Sequence, residues 1–195
     1  MPLIYISDTG KQYLRGVLFS FLAASSFIPV AQACSTDCSI DVNFTGVYKD
    51  ETCEVVINNA SSNEIVTLPT ISALTLNQNG REAGSVPFDV TLKNCPGNRT
   101  ITLFFDSSVS AADTETGNLV NSTGLTYSRN VQIRIRKEDS SQVVIDDATT
   151  GQGYIISSEA EPLSHRFTAS YYAKGDSAVT AGKVHAATGI ELVYK

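Results

Sequence analysis

The chain has 195 residues, a formal net charge of −6, 42% hydrophobic residues and 17% charged ones. That length suits one domain of modest size, and that composition builds a packed core, which excludes a disordered chain. An acidic surface argues against nucleic acid and anionic membranes as partners.

Residues 1–33 read as a secretory leader. Lys11 and Arg15 form a basic start, Gly16 to Val30 is apolar, and Ala31-Gln32-Ala33 is a cleavage pattern. The apolar run is shorter than a membrane-spanning helix needs. Four cysteines follow: Cys34, Cys38, Cys53 and Cys95. An even number behind a secretory leader reads as disulfides in an oxidising compartment. Metal binding is the weaker reading, because Cys-x-x-Cys is lacking and His165 and His185 stand far away in sequence. Cys34 is the first residue after the cut, where a lipid would attach. The preceding Val-Ala-Gln-Ala departs from a lipidation signal, and lipidation would leave an odd number of thiols.

From Cys38 the chain alternates. Cys38, Ile40, Val42, Phe44 and Gly46 fall on one side, and Ser39, Asp41, Asn43 and Thr45 on the other. This is the pattern of a strand with one apolar face. Glu54–Asn58 and Glu64–Leu68 are short β-branched runs separated by a polar loop, and Pro69 ends the second. Asn79-Gly80 marks a turn. Val86–Leu92 and Arg99–Asp106 read as strands around the turn Pro96-Gly97-Asn98. Residues 107–130 read mostly as loop, with a short strand at Asn118–Val120. Asn130–Arg136 alternates Val131, Ile133 and Ile135 with Gln132, Arg134 and Arg136, a core face and a solvent face. Val143–Ile145 is a short strand and Asp146–Gly153 a turn cluster. His165–Lys174 is a strand burying Phe167, Ala169 and Tyr171 and exposing Arg166, Thr168 and Ser170. His165 and His185 read as surface residues. No stretch of ten residues after the leader has a helical period.

The chain ends on Gly182–Lys195, in which Val184, Ala186, Thr188, Ile190, Leu192 and Tyr194 share a side. It reads either as an ordinary closing strand or as an edge that something else must cover. An enzyme reading has no support: G-x-S-x-G and paired-His motifs are lacking, and Asp146-Asp147 in a turn cluster reads as loop solvation. No cofactor is expected. The whole pattern, many short strands with turns between them, means a β-sandwich of immunoglobulin-like kind.

The spacings resemble subunits of chaperone–usher pili. Phe44-Thr45-Gly46 is followed seven residues later by Cys53; Phe88 to Cys95 closes a strand about forty residues on; and Gly182 and Tyr194 stand fourteenth from the end and next to last. The resemblance covers Cys38 to Lys195. It implies an all-β, incomplete immunoglobulin-like sandwich lacking its seventh strand, with an N-terminal donor-strand extension. The implied organisation is a leader at 1–33, a donor extension at 34–46 and a pilin domain at 47–195. It implies a Cys53–Cys95 disulfide. Cys34 and Cys38 would then pair with each other through a bend, because four extended residues span about 13 Å and a disulfide needs Cα atoms within about 7 Å.

The same resemblance assigns Ile40, Val42, Phe44 and Gly46 to the donated strand. Gly182, Val184, Ile190, Leu192, Tyr194 and Lys195 go to the strand that faces the acceptor groove and the chaperone. The implied partners are a periplasmic chaperone, an outer-membrane usher and neighbouring subunits; a host receptor would be met through the assembled fimbria. The implied function is a structural subunit, exported through the periplasm, that polymerises by donor-strand exchange and supports adhesion at the bacterial surface. A tip adhesin would need a receptor domain where only about twelve residues separate the cut from Gly46. The competing expectation is a monomeric periplasmic or lipid-anchored immunoglobulin-like binding module.

Overall fold

Ten strands and two short 3-10 turns make up the regular structure of the computed structural model, which describes residues 52–158 and 160–195. The leader at 1–33, the Cys34–Cys38 pair and the donor residues Ile40, Val42, Phe44 and Gly46 lie outside the described residues. In chain order the strands are β1 (Glu54–Ile57), β2 (Glu82–Lys93), β3 (Arg99–Asp106), β4 (Ala112–Asp113) and β5 (Asn118–Val120). Then come β6 (Val131–Lys137), β7 (Gln142–Val143), β8 (Gln152–Ile156), β9 (Leu163–Ala173) and β10 (Gly189–Tyr194). The 3-10 turns are Ala73–Leu76 and Ala148–Thr150.

One sheet runs β1-β2-β9-β6-β5-β4, with β7 also paired to β6; the other runs β10-β3-β8. Every pairing between named strands is antiparallel. The core between the sheets follows from the period-two alternation of each strand. Phe88, Val90 and Leu92 of β2 meet Ile101, Leu103 and Phe105 of β3, with Phe167 of β9 and Tyr154 of β8. Phe88 stacks on Phe167 with centroids 5.6 Å apart, and Phe105 meets Phe167 edge-on at 5.4 Å. Each such ring contributes roughly 1.5–3 kcal/mol by leaving water. Fully buried Tyr154 brings a hydroxyl with it, which donates to the Val90 carbonyl across the core at 2.9 Å. Burial pushes that phenol well above its ordinary pKa.

The disulfide joins Cys53 and Cys95, whose Cα atoms are 4.2 Å apart. The β1–β2 register, Glu54 opposite Lys93, brings the two cysteines together at the end of the ladder. Closing a loop of 42 residues is worth about 4 kcal/mol by the chain-entropy estimate.

Several sequence expectations need correction, among them Gln132, expected in solvent and buried at 4% exposure. Glu64–Leu68 joins no ladder: its residues run outside any strand, because no strand lies beside them among the described residues. The closing strand is shorter than its alternation, since only Gly189–Tyr194 pairs with β3. The turn cluster ends earlier than expected, with β8 already beginning at Gln152. Ser170, expected in solvent, is buried at 1% exposure because Glu82 of the neighbouring strand accepts its hydroxyl, while Tyr171 is only half-buried. His165 is half-buried and meets the Tyr154 ring edge-on at 4.6 Å; burial lowers its pKa, against a smaller opposing pull from Glu138.

Candidate functional site: an open edge beside an apolar groove

Among the described residues, the backbone of the C-terminal segment is bonded along one side only. Lys195 and Thr100 exchange both backbone hydrogen bonds, at 2.9 and 3.3 Å. Antiparallel alternation then turns Val193, Glu191 and Gly189 toward β3 and turns Ile190, Leu192 and Tyr194 away from it. Before β10 the same phase continues without a ladder. The Ala187 carbonyl accepts from Ser110, the His185 carbonyl accepts from Ser122, and Lys183 bonds Thr126 and Ser128. The backbone groups of Val184, Ala186 and Thr188 have no partner among the described residues. Among the described residues, an unpaired edge therefore runs from Val184 to Tyr194, on the residues whose side chains also face the core.

This edge borders an apolar groove with two parts. One cavity, about 460 Å³, has Phe88, Phe105, Leu119, Ile133, Ile135 and Ala169 among its lining; residues 64–68 form one wall and 184–188 with Ile190 the other. The second, about 640 Å³, lies between residues 70–76 and 179–185. Tyr171, Val184 and His185 line both. The Tyr171 ring crosses the junction, and its hydroxyl donates to the Pro69 carbonyl at 3.2 Å. Room for that ring comes from a bulge in β2 between Ala83 and Val86. Gly84 sits there at φ +67°, and a Cβ on it would stand 2.8 Å from the ring.

Gly182 has a steric reason for being glycine. A Cβ there would lie 2.4 Å from the Ser128 nitrogen, and its φ is +156°. Val184, Ile190, Leu192 and Tyr194 are half-buried along the groove side, and Lys195 is exposed. The structure thus brings the predicted C-terminal residues onto one edge. Two residues of the site escaped the sequence reading. Tyr171 carried only the signal of a strand core position, and Asn121 only that of an N-x-T pattern, Asn121-Ser122-Thr123. Buried Asn121 bonds the backbone of the C-terminal segment on both sides of Val184.

The face of the large sheet away from the groove is polar and self-satisfied. Glu82 bridges Arg134 (3.1 Å) and Arg136, and Arg134 lies 3.9 Å from the Tyr172 ring centroid. Burial raises the Glu82 pKa, but hydrogen bonds from Arg136 and Ser170 and the charges of both arginines outweigh it, so the net shift is downward. The arginines are thus partnered strand-face residues. Asp113 pairs with Lys174 and accepts from Gln132 at 2.9 Å. Among the described residues no group of His, Cys, Asp and Glu could hold a metal.

Residues 42–195 match the family model described as fimbrial protein. The chain belongs to the fimbrial protein family. It is 30% identical over 191 residues to the F17 fimbrial protein of Escherichia coli, covering 94% of this chain and 98% of that one. To the serotype 3 fimbrial subunit of Bordetella pertussis it is 29% identical over 204 residues, covering 93% and 96%. Its fold is similar to that of the P pilus rod subunit PapA, with a TM-score of 0.55 at 18% identity, over 73% of this chain and 99% of that one. This fimbrial subunit has the immunoglobulin-like sandwich of chaperone–usher pilins. Its family is structural, not enzymatic. Subunits of this kind assemble with neighbouring subunits into a surface fimbrium.

Proposed function

We propose that the groove accepts an extended strand from a neighbouring subunit, and that this chain's own N-terminal extension serves the next subunit in the same way. The carrying observation is the coincidence of an edge at Val184–Tyr194 with an apolar groove whose other wall is residues 64–68, neither of them paired on the groove side among the described residues. One added strand gains backbone bonds from the edge and buries its side chains on the groove floor. Burial favours this by ~25 cal/mol per Å² of apolar surface.

The sequence of the extension fits the shape of the groove. On a strand antiparallel to the C-terminal edge, Ile40, Val42 and Phe44 enter the apolar cavity. Gly46 then crosses Tyr171, where a side chain would collide, and Tyr48, next on that side, reaches the second cavity. Each chain donates one strand and accepts one, so the contact is head-to-tail and grows a filament. Before assembly a periplasmic chaperone covers the groove and binds the Lys195 carboxylate through basic residues. An outer-membrane usher then exchanges that cover for the next subunit's extension, and the finished fimbria supports adhesion to a host receptor.

The test is polymerisation of the full chain, read as ladders that survive detergent without boiling. Gly46→Leu and Phe44→Asp are expected to abolish donation while leaving uptake of a wild-type Ser39–Lys49 peptide intact. Ladders unchanged in both variants would overturn the proposal and favour a monomeric binding module.

A further inference from the structure

We propose that Asn121 is a positioning residue for strand acceptance, holding the groove wall at Lys183–His185 away from the groove floor. The inference rests on the acceptor reading above. Residues 183–185 line one cavity and 184–188 the other, yet all lie outside the β10–β3 ladder. Val184 is half-buried against the cluster of Leu76, Val131 and Ala173, so burial pulls this stretch inward onto the apolar floor. A wall drawn inward would occupy the space an incoming strand needs.

The opposing pull comes from the other side of the segment. Asn121 is 6% exposed and all of its amide's bonds go to backbone. Its Nδ2 donates to the Lys183 carbonyl at 3.2 Å and to the Ser128 carbonyl at 2.7 Å. Its Oδ1 accepts from the His185 N–H at 2.8 Å. The Lys183 C=O and His185 N–H face the same way, outward from the groove, on either side of Val184. The amide therefore fills the gap between two backbone contacts on this side, Lys183 with Thr126 and Ser128 and the His185 carbonyl with Ser122, and secures the His185 N–H that neither contact reaches. The backbone of Val184, turned toward the groove, has no partner among the described residues. Val184 and His185 line both cavities, so the amide acts at the junction that an incoming strand must cross.

The experiment follows uptake of a fluorescent Ser39–Lys49 peptide by the full chain, together with hydrogen exchange at the His185 amide. Asn121→Ala is expected to slow uptake at least ten-fold and to expose the His185 amide, under conditions where disulfide and fold are intact. Asn121→Asp keeps the acceptor for His185 and loses both donations. It also sets an oxygen against the Ser128 and Lys183 carbonyls, so it is expected to slow uptake at least as much as alanine while still protecting that amide, and Asn121→Ser, which keeps a small donor and acceptor, carries the test if neither of the two folds. Equal uptake rates in wild type and a folded variant would overturn the role of Asn121 and leave the acceptor reading standing. No uptake by the wild type would overturn the acceptor reading, and this inference with it.

Discussion

The Tyr194 hydroxyl accepts a hydrogen bond from the Cys53 N–H at 2.8 Å, tying the last strand of one sheet to the disulfide that anchors the other. The two residues are 141 positions apart in sequence. Tyr194 therefore holds the open edge in register at its C-terminal end, as Gly182 allows it to approach Ser128 at the other.

Tyr194→Phe keeps the ring and removes only this bond. The expected loss is about 1 kcal/mol of stability, read as a lower urea midpoint at unchanged slope. An unchanged midpoint would mean that water replaces the contact without cost.

Gly182→Ala places a methyl where the Ser128 nitrogen stands. Overpacking of this kind costs about 1–3 kcal/mol. The segment from Ala181 to His185 should shift with it, so peptide uptake should fall more than stability does. Calorimetry and uptake measured on the same preparation separate the two effects.

Glu82→Gln leaves Arg134 and Arg136 without their shared carboxylate. The Arg134 side chain is only 13% exposed, so the loss is expected at about 2 kcal/mol, between a charged hydrogen bond and a fully buried pair. The groove lies on the other face of this sheet. Denaturant unfolding should therefore report the change while peptide uptake stays near wild type.

Asp113 predicts the behaviour in acid. Burial pushes its carboxyl up, but hydrogen bonds from Lys174, the Thr116 N–H, Gln132 and the Glu115 N–H outweigh burial and hold it down to about 2. A carboxyl lowered on folding contributes stability that is present above its unfolded value, about 3.9. That contribution is lost as pH falls from there toward about 2. Asp113→Asn should flatten the stability–pH curve in this window and leave its shape near neutrality unchanged. A wild-type slope between pH 4 and 2 in the variant would assign the acid sensitivity elsewhere.

Much of the sandwich was legible because strands announce themselves locally. Phe88, Val90 and Leu92, or Val131, Ile133 and Ile135, alternate with polar neighbours whatever lies across from them. The same locality explains the misses. Glu64–Leu68 has the residues of a strand and, among the described residues, none of the partners. Ser170 looks like a solvent position until Glu82 comes to lie beside it. The loop from Asn121 to Asn130 reads as polar linker, yet its side chains carry the bonds that hold residues 178–185.

From its sequence alone this protein was committed to β-structure, to a bridge between Cys53 and Cys95 through its family spacing, and to a C-terminal stretch with one apolar side. The first and third follow from side-chain alternation along a single extended chain, and the bridge follows from the family resemblance. Whether that last stretch was an ordinary closing strand or an open edge could be decided only in three dimensions. The answer depends on what stands next to Val184–Tyr194, and backbone hydrogen bonds are made with neighbours in space that adjacent residues do not specify.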